Sequence, residues 1–257
     1  MDDHFVFLGY RRYNLEHSGK ETTIQTKQGS GLGILRGDKK SSLTEKTPLK
    51  NIPANLQLYM RSPQTLTLTK AITKANIHRH VDMDYIGVKE FDQKGNVVCE
   101  HRFVGLFTSK DHTCSVRDIP LVRQKIEAVL KAEEQNRGHN FRALVNILET
   151  YPREELFQIS VTDLHRIALG ILHLKDRQRT KLLIRRGAED RLISAMVFMP
   201  RDRLTRINRN RITAVLEKAF DAEDITYNIH VSDAALARIF FMIRTVKNPK
   251  PGMTDDE

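Results

Sequence analysis

Four stretches of this 257-residue chain hold residue types whose spacing could do chemistry. Gly29-Ser30-Gly31-Leu32-Gly33 has the glycine density of a loop that cradles phosphate with backbone N–H groups. A dinucleotide fingerprint also needs an apolar strand before the glycines and a helix after them, whose N-terminus meets the pyrophosphate. Neither flank reads that way, and Arg36-Gly37-Asp38 follows at once, so a glycine-rich turn is the reading. His78, His80, Asp82 and Asp84 alternate along one extended segment and share a face, as a metal site on a sheet requires. Same-face neighbours on a strand sit about 7 Å apart, so one ion can usually gather only two of them. A polar strand face, with some of these acids paired to Arg102 across a hairpin, explains the pattern with less.

Nucleophilic chemistry finds no footing. No Ser lies in a nucleophile-elbow context, and Cys99 has no His that the sequence places beside it. Cys99 and Cys114 form no CxxC, so neither a disulfide framework nor a thiolate metal site is expected, and a reducing cytosol is the expected compartment. The fourth stretch, Pro200-Arg201-Asp202-Arg203, falls where a strand turns into a helix. Free backbone N–H groups and Arg side chains there could hold the carboxylate of a small effector. Asp202 as a plain helix cap accounts for the same residues. The expected site set is therefore Arg201, Asp202 and Arg203 for an effector, with no catalytic, cofactor-binding or metal-binding residue.

The elements that must position these residues fall into three parts, an α+β organisation. Strands are expected over Phe5–Leu15, Thr22–Lys27, Gly31–Arg36 and Leu66–Ala71, then as a long hairpin of Ile77–Phe91 and Val97–Thr108. The connection Asp92-Gln93-Lys94-Gly95-Asn96 supplies the residues that tolerate a positive φ. Residues 37–62, polar and holding Pro48 and Pro53, read as a loop with at most a short helix. From Asp118 the period becomes helical. Asp118 and Pro120 are expected to open a helix with Val122, Ile126, Val129 and Leu130 on one stripe. Asn140 is expected to cap a second carrying Phe141, Leu144, Val145 and Leu148, which Tyr151-Pro152 ends. Ser160-Val161-Thr162-Asp163 reads as a capping box before Leu164, Ile167, Ala168 and Ile171. Last come strands Lys181–Arg186 and Leu192–Met199 around a turn at 187–190, a helix of about 17 residues by its apolar period, and strands Ile225–Val231 and Arg238–Thr245. In that helix Leu204, Ile207, Ile212, Val215, Leu216, Ala219 and Phe220 are expected inward, with Arg206, Arg209, Asn210 and Glu217 outward. The domain boundaries follow as 1–111 β-rich, 112–178 a helical connector, 179–247 a small mixed sheet, and 248–257 a solvated tail.

Composition narrows the classes. With 40% hydrophobic and 29% charged residues, and no apolar run near the ~20 residues that span a bilayer, a membrane protein is not expected. The formal charge of +10 and pI near 9.6 raise a polyanion as partner. The basic residues are scattered among 32 acidic ones, and the Arg201–Arg211 cluster reads as a solvated helix face, so nucleic acid is disfavoured. A basic RNA-binding module on a small sheet is the alternative, although the aromatic-rich RNP pattern is missing and Phe103 and Phe107 lie on faces the sequence does not assign. Met1-Asp2-Asp3-His4 leads directly into an apolar strand without a signal segment, suggesting a boundary inside a larger protein.

Several ordered blocks carry a resemblance. They are Phe5–Arg11 (FVFLGYR), Gly31–Arg36 (GLGILR), Met83–Lys89 (MDYIGVK), Arg102–Ser109 (RFVGLFTS), Ile147–Arg153 (ILETYPR), Glu155–Ile159 (ELFQI), Ala168–Leu172 (ALGIL) and Val197–Arg203 (VFMPRDR). In this order the chain resembles the amino-terminal half of the large NAD-specific glutamate dehydrogenases of bacteria. The resemblance implies a parent enzyme that deaminates L-glutamate oxidatively to 2-oxoglutarate and ammonium, with NAD as cofactor of the parent and none in this segment. It implies catalytic lysines and a dinucleotide-binding fold downstream, and an upstream half similar to PAS-like and ACT-type modules. On that basis 1–111 is expected to be a sensor-like antiparallel-sheet domain and 179–247 an ACT-like, ferredoxin-like α/β sandwich. The expected partners are the downstream catalytic domain, sister subunits and an amino-acid effector, all in the cytoplasm. Two departures from the family pattern stand out. The last module reads strand, strand, helix, strand, strand rather than the ordinary ACT order, and of the metal-like face only His78 and Asp84 match the family's block.

Overall fold

The computed structural model describes residues 5–18, 21–37, 46–52, 57, 59–60, 62–75, 81–108, 114–134, 138–174, 179–187, 192–232 and 234–245. His78 and His80, the turn residues 188–190 and the tail from Lys247 lie outside them. The chain forms two compact units, Met1–Cys114 and Ser115–Glu257.

The first unit is an antiparallel sheet. Its strands are β1 (Phe5–Ser18), β2 (Glu21–Thr26), β3 (Leu32–Gly33), β4 (Thr47–Pro48), β5 (Leu66–Lys74), β6 (Asp82–Phe91) and β7 (Val97–Phe107). They run in the order β4-β2-β1-β7-β6-β5, with β3 also paired to β1. Alternation along the strands sets the two faces. Tyr13 pairs with Glu100, and Glu100 with Lys89, so these share one face. That face packs Tyr13, Leu15, Ile24, Leu49, Met60 and Val97 into a core. Asn14, Cys99 and Glu90 line up on the other, beside Arg12, His101 and Val88. The β6–β7 hairpin closes as expected: Asp92 Oδ1 accepts from the N–H groups of Lys94 and Asn96, both at 2.8 Å, and Gly95 takes φ +81°. The strand expected over Gly31–Arg36 is reduced to Leu32–Gly33. Residues 34 and 35 turn away there, and the Ile34 N–H still reaches Leu8 O at 2.9 Å.

Among the described residues of the second unit, four α-helices precede a small sheet. Helix α1 (Val122–Ala132) starts later than Asp118 and Pro120 suggest, because Leu121 adopts φ +69° and blocks the helix from running back. Asp118 is instead a turn residue whose N–H donates to Ser115 O. Helix α2 (His139–Glu149) is capped by Gly138 and takes Asn140 inside its first turn, correcting the expected cap. Helix α3 (Arg153–Gln158) was not expected from the sequence; six residues are too few to display a period. Helix α4 (Val161–Leu172) begins as read, with Ser160 Oγ accepting from Asp163 N–H at 3.0 Å. Its Leu164, Ile167, Ala168 and Ile171 are buried at the i, i+3, i+4, i+7 spacing.

Strands β8 (Lys181–Arg186), β9 (Leu192–Pro200), β10 (Ala222–His230) and β11 (Leu236–Thr245) form the second antiparallel sheet, ordered β10-β11-β9-β8. Helix α5 (Arg206–Phe220) joins β9 to β10, which run the same way with β11 between them, a split β-α-β unit of the ferredoxin-like kind. Residues 192–199 of β9 are buried throughout because both faces are covered. One face packs Ile193, Ala195, Val197 and Met199 with Leu216 and Phe220 of α5. On the other, Leu183 closes on Gly170 of α4, and Arg166 Nη2 donates to Ile184 O at 3.2 Å. Helix α5 is rotated from the expected stripe. Ile207 and Val215 are 65% and 63% exposed, since at about 100° per residue Ile207 falls half a turn from Leu216. By the same count Arg209 faces the sheet, and its guanidinium lies 5.0 Å from the centre of the Tyr227 ring.

Candidate functional site

Of the polar side chains among the described residues of the first unit, Glu100 is the most deeply placed, and the sequence gives no hint of it. It is fully buried on β7 and gathers a hub: Tyr59 Oη donates to Oε1 at 2.7 Å, Tyr85 Oη donates to the same oxygen, and Arg102 Nε donates to Oε2 at 2.8 Å. The Arg102 guanidinium also stacks over Tyr13 at 4.0 Å. Burial, followed by the Glu100 charge, pushes the Tyr59 hydroxyl well above the usual phenol range, so it stays a donor. Gly87 makes the space: a Cβ there would lie 2.5 Å from Tyr59 Oη and 2.9 Å from Glu100 Oε1. Arg102 therefore does not pair with the acids of β6, as the sequence suggested; its register partner is Gly87.

Of the alternating acids, Asp84 is tied elsewhere. Buried Asp84 holds Lys70 Nζ of β5 at 2.7 Å through Oδ1 and accepts from Phe107 N–H at 2.8 Å through Oδ2. Its carboxylate is thus spent on holding three strands together. The glycine-rich stretch is likewise structural. Gly33 sits at φ +59°, and a Cβ on it would fall 2.0 Å from Leu8 O. Arg11, 2% exposed, donates through Nη2 to Gly37 O at 2.7 Å and to Leu35 O, binding the turn to β1 where a phosphate loop would keep its N–H groups free.

Cys99 does have a histidine beside it, contrary to the sequence reading. His101, two residues on and therefore on the same face, brings Nε2 to 3.5 Å from Cys99 Sγ, and the same nitrogen lies 2.7 Å from Glu90 Oε1. Tyr10 Oη meets His101 Nδ1 at 2.8 Å, and Arg12 Nη2 stands 3.4 Å from Glu90 Oε2. Burial raises the Cys99 thiol, while the hydrogen bond from His101 lowers Glu90. The signal was present in the sequence as Cys-x-His facing an acid across the hairpin, once Glu90 is known to pair with Cys99.

In the second unit a buried ion pair joins α3 to the sheet. Glu155, fully buried, receives Arg185 of β8 through Nε on Oε1 and Nη2 on Oε2 at 2.9 Å, and Ser194 Oγ of β9 donates to Oε1 at 2.7 Å. This is a bidentate, charge-assisted joint. Lys125 of α1 caps the end of the same short helix, donating to the carbonyls of Leu156, Phe157 and Ile159 at 3.0, 3.0 and 2.8 Å. Burial, and then the Arg185 charge, pull Lys125 down to about 8 against the opposing pull of Glu155.

Arg201, Asp202 and Arg203 form one exposed 3-10 turn at the end of β9. Asp202 does not cap α5; Thr205 does, its Oγ1 accepting from Asn208 N–H at 3.1 Å. Next to this turn lies a cleft of about 440 Å³ lined by Leu204, Thr205, Arg206, Arg209 and Ile229. Phe103 packs at a tilt against Tyr10, 5.0 Å between ring centres, and Phe107 edge-on against Phe5 at 5.3 Å.

A four-stranded sheet with a split β-α-β crossover, preceded by a helical motif, defines the second unit as an ACT-type module with its helical partner. Residues 119–177 match the family model described as glutamate dehydrogenase, helical motif 1, and residues 181–257 match the glutamate dehydrogenase ACT2 domain. The NAD-specific glutamate dehydrogenase of Halomonas elongata is 35% identical over 249 residues, 95% of this chain and 15% of that protein. The enzyme of that name from Pseudomonas aeruginosa is 31% identical over 249 residues, with the same shares, and that of Mycobacterium tuberculosis 28% identical over 245, covering 95% and 14%. The chain belongs to the NAD-specific glutamate dehydrogenase family. It spans about 15% of the length of these curated relatives. Among the described residues, no helix is long and apolar enough to cross a membrane.

Proposed function

We propose that this chain is a regulatory and subunit-assembly segment of an NAD-dependent glutamate dehydrogenase, acting in the cytoplasm. The parent converts L-glutamate and NAD to 2-oxoglutarate and ammonium at a catalytic domain outside this chain. Residues 1–111 serve as a sensor-like β-domain, 112–178 as a helical connector and 179–247 as the ACT-like module. The observation that carries the assembly role is the outer edge of β10. It has no strand partner among the described residues, and Tyr227 and Ile229 on it, with Val231 just past its end, are 40%, 43% and 49% exposed. Such an edge is a template for pairing with a sister strand, and its apolar side chains supply the burial that makes pairing specific.

We assign sensing to the neighbouring corner. In this reading the effector's carboxylate goes to Arg201 and Arg203, its ammonium to Asp202 and its side chain to the cleft beside Ile229; the support is that the three charged residues are exposed on one turn close in sequence to the residues lining that cleft. An effector there acts on the catalytic part only through its different affinity for two conformations. Sedimentation of the purified chain tests the first claim: self-association is expected, and Ile229→Lys is expected to abolish it. A chain that stays monomeric at every concentration refutes assembly through this edge. Thermal shifts against the twenty amino acids test the second, with a rise for one or two of them that Arg203→Ala removes.

A further inference from the structure

We propose that Glu90, Cys99 and His101 form a zinc-type site that clips the β6–β7 hairpin, with a fourth position open to water. The three groups come from two adjacent strands in fixed register, Glu90 opposite Cys99 and His101 on the same face of β7. One ligand atom from each lies within 4.8 Å of the others. With Zn–S near 2.3 Å and Zn–N near 2.0 Å, a tetrahedral ion holds its sulfur and nitrogen ligands about 3.5 Å apart. Cys99 Sγ and His101 Nε2 are already separated by 3.5 Å. Glu90 Oε1, now 2.7 Å from the same nitrogen, has to retreat by roughly 0.7 Å to reach its place on that tetrahedron, and its side chain is 48% exposed.

The three donors converge on one point. The Cys99 sulfur and the Glu90 carboxylate both lie against His101 Nε2, and a hydrogen bond links the thiol to the carboxylate as well. A single divalent ion at that point serves all three. Sulfur, imidazole and carboxylate donors select zinc or a neighbouring transition metal over magnesium or calcium. A thiolate and a carboxylate neutralise its two charges, so Arg12 on the far oxygen of Glu90 is not repelled by a net positive site. Tyr10 completes the outer arrangement: its Oη lies 2.8 Å from His101 Nδ1, where it can accept the N–H that remains when Nε2 ligates.

Cobalt(II), a coloured stand-in for zinc, reads the site directly. Titrating the 257-residue chain with cobalt chloride is expected to saturate at one equivalent, with a sulfur-to-cobalt charge-transfer band and the visible bands of a tetrahedral ion, all displaced by zinc. Cys114→Ser should leave the spectrum intact, Cys99→Ser should erase the charge-transfer band, and Tyr10→Phe should weaken binding roughly tenfold. Absence of saturable binding, or a band that survives Cys99→Ser or disappears with Cys114→Ser, overturns the proposal. Should Cys99→Ser not fold, Glu90→Gln and His101→Gln decide: unchanged cobalt affinity in both refutes the site.

Discussion

Gly87 illustrates how a single position can carry a fold while looking inert in the sequence. Its missing Cβ leaves the volume into which Tyr59, Tyr85 and Glu100 converge. Gly87→Ala forces at least one of these hydrogen-bonded oxygens aside, and we expect a loss of about 1–3 kcal/mol in urea unfolding. The effect should be non-additive: Tyr59→Phe removes the nearest oxygen, so the double variant is expected to lose less than the sum of the two single changes. The block around Gly87 was legible as a family resemblance, but its reason was not, because Glu100 and Tyr59 approach Gly87 only through strand pairing and loop packing. A local role was read correctly for Ser160, which caps α4, but not for Asp118 and Asn140, since a capping residue type does not by itself fix where a helix starts. Residues whose role depends on a neighbouring strand were misread: Arg102 went to Glu100 and not to the acids of β6, and Cys99 found His101.

At the scale of elements, α3 shows what periodicity misses and what replaces it. Six residues give no stripe, yet the helix is held by three attachments: Lys125 on its last carbonyls, and Arg185 and Ser194 on Glu155. Glu155→Gln leaves the Arg185 guanidinium buried without its counter-charge, a loss we place at roughly 3–5 kcal/mol. Replacing both partners at once by Met and Leu should recover most of it, since well-packed apolar residues of similar volume spare the desolvation of two charges. A double variant as unstable as the single one would show that the pair holds α3 by something other than charge compensation. The longer elements were legible because burial on one or both faces imprints a period of its own. All four strands of the second sheet appeared near their expected bounds, while α5 was placed correctly but turned so that Ile207 faces out. Counting apolar residues located that helix without fixing which of them face the sheet.

The net charge of +10 invites a polyanion, whereas the exposed apolar side chains of the β10 edge invite an apolar partner. Among the described residues the buried bases Arg11, Lys89 and Arg185 are matched by the buried acids Asp84, Glu100 and Glu155, so burial leaves the basic excess at the surface. What remains exposed includes Arg201, Arg203, Arg206 and Arg211, close in sequence to Ile207 and Val215, which are exposed as well. The two partner classes respond to salt in opposite ways. Binding of RNA releases counterions and falls by orders of magnitude between about 50 and 200 mM salt. Pairing through Tyr227, Ile229 and Val231 is driven by removing apolar area from water, so it should hold or strengthen over that range as repulsion between like-charged copies is screened. Sedimentation of the chain across the same salt series separates them. We expect a self-association constant that does not decrease with salt, alongside RNA binding that vanishes before physiological ionic strength. Self-association that collapses with salt would mean that charge, and not the β10 edge, brings the copies together.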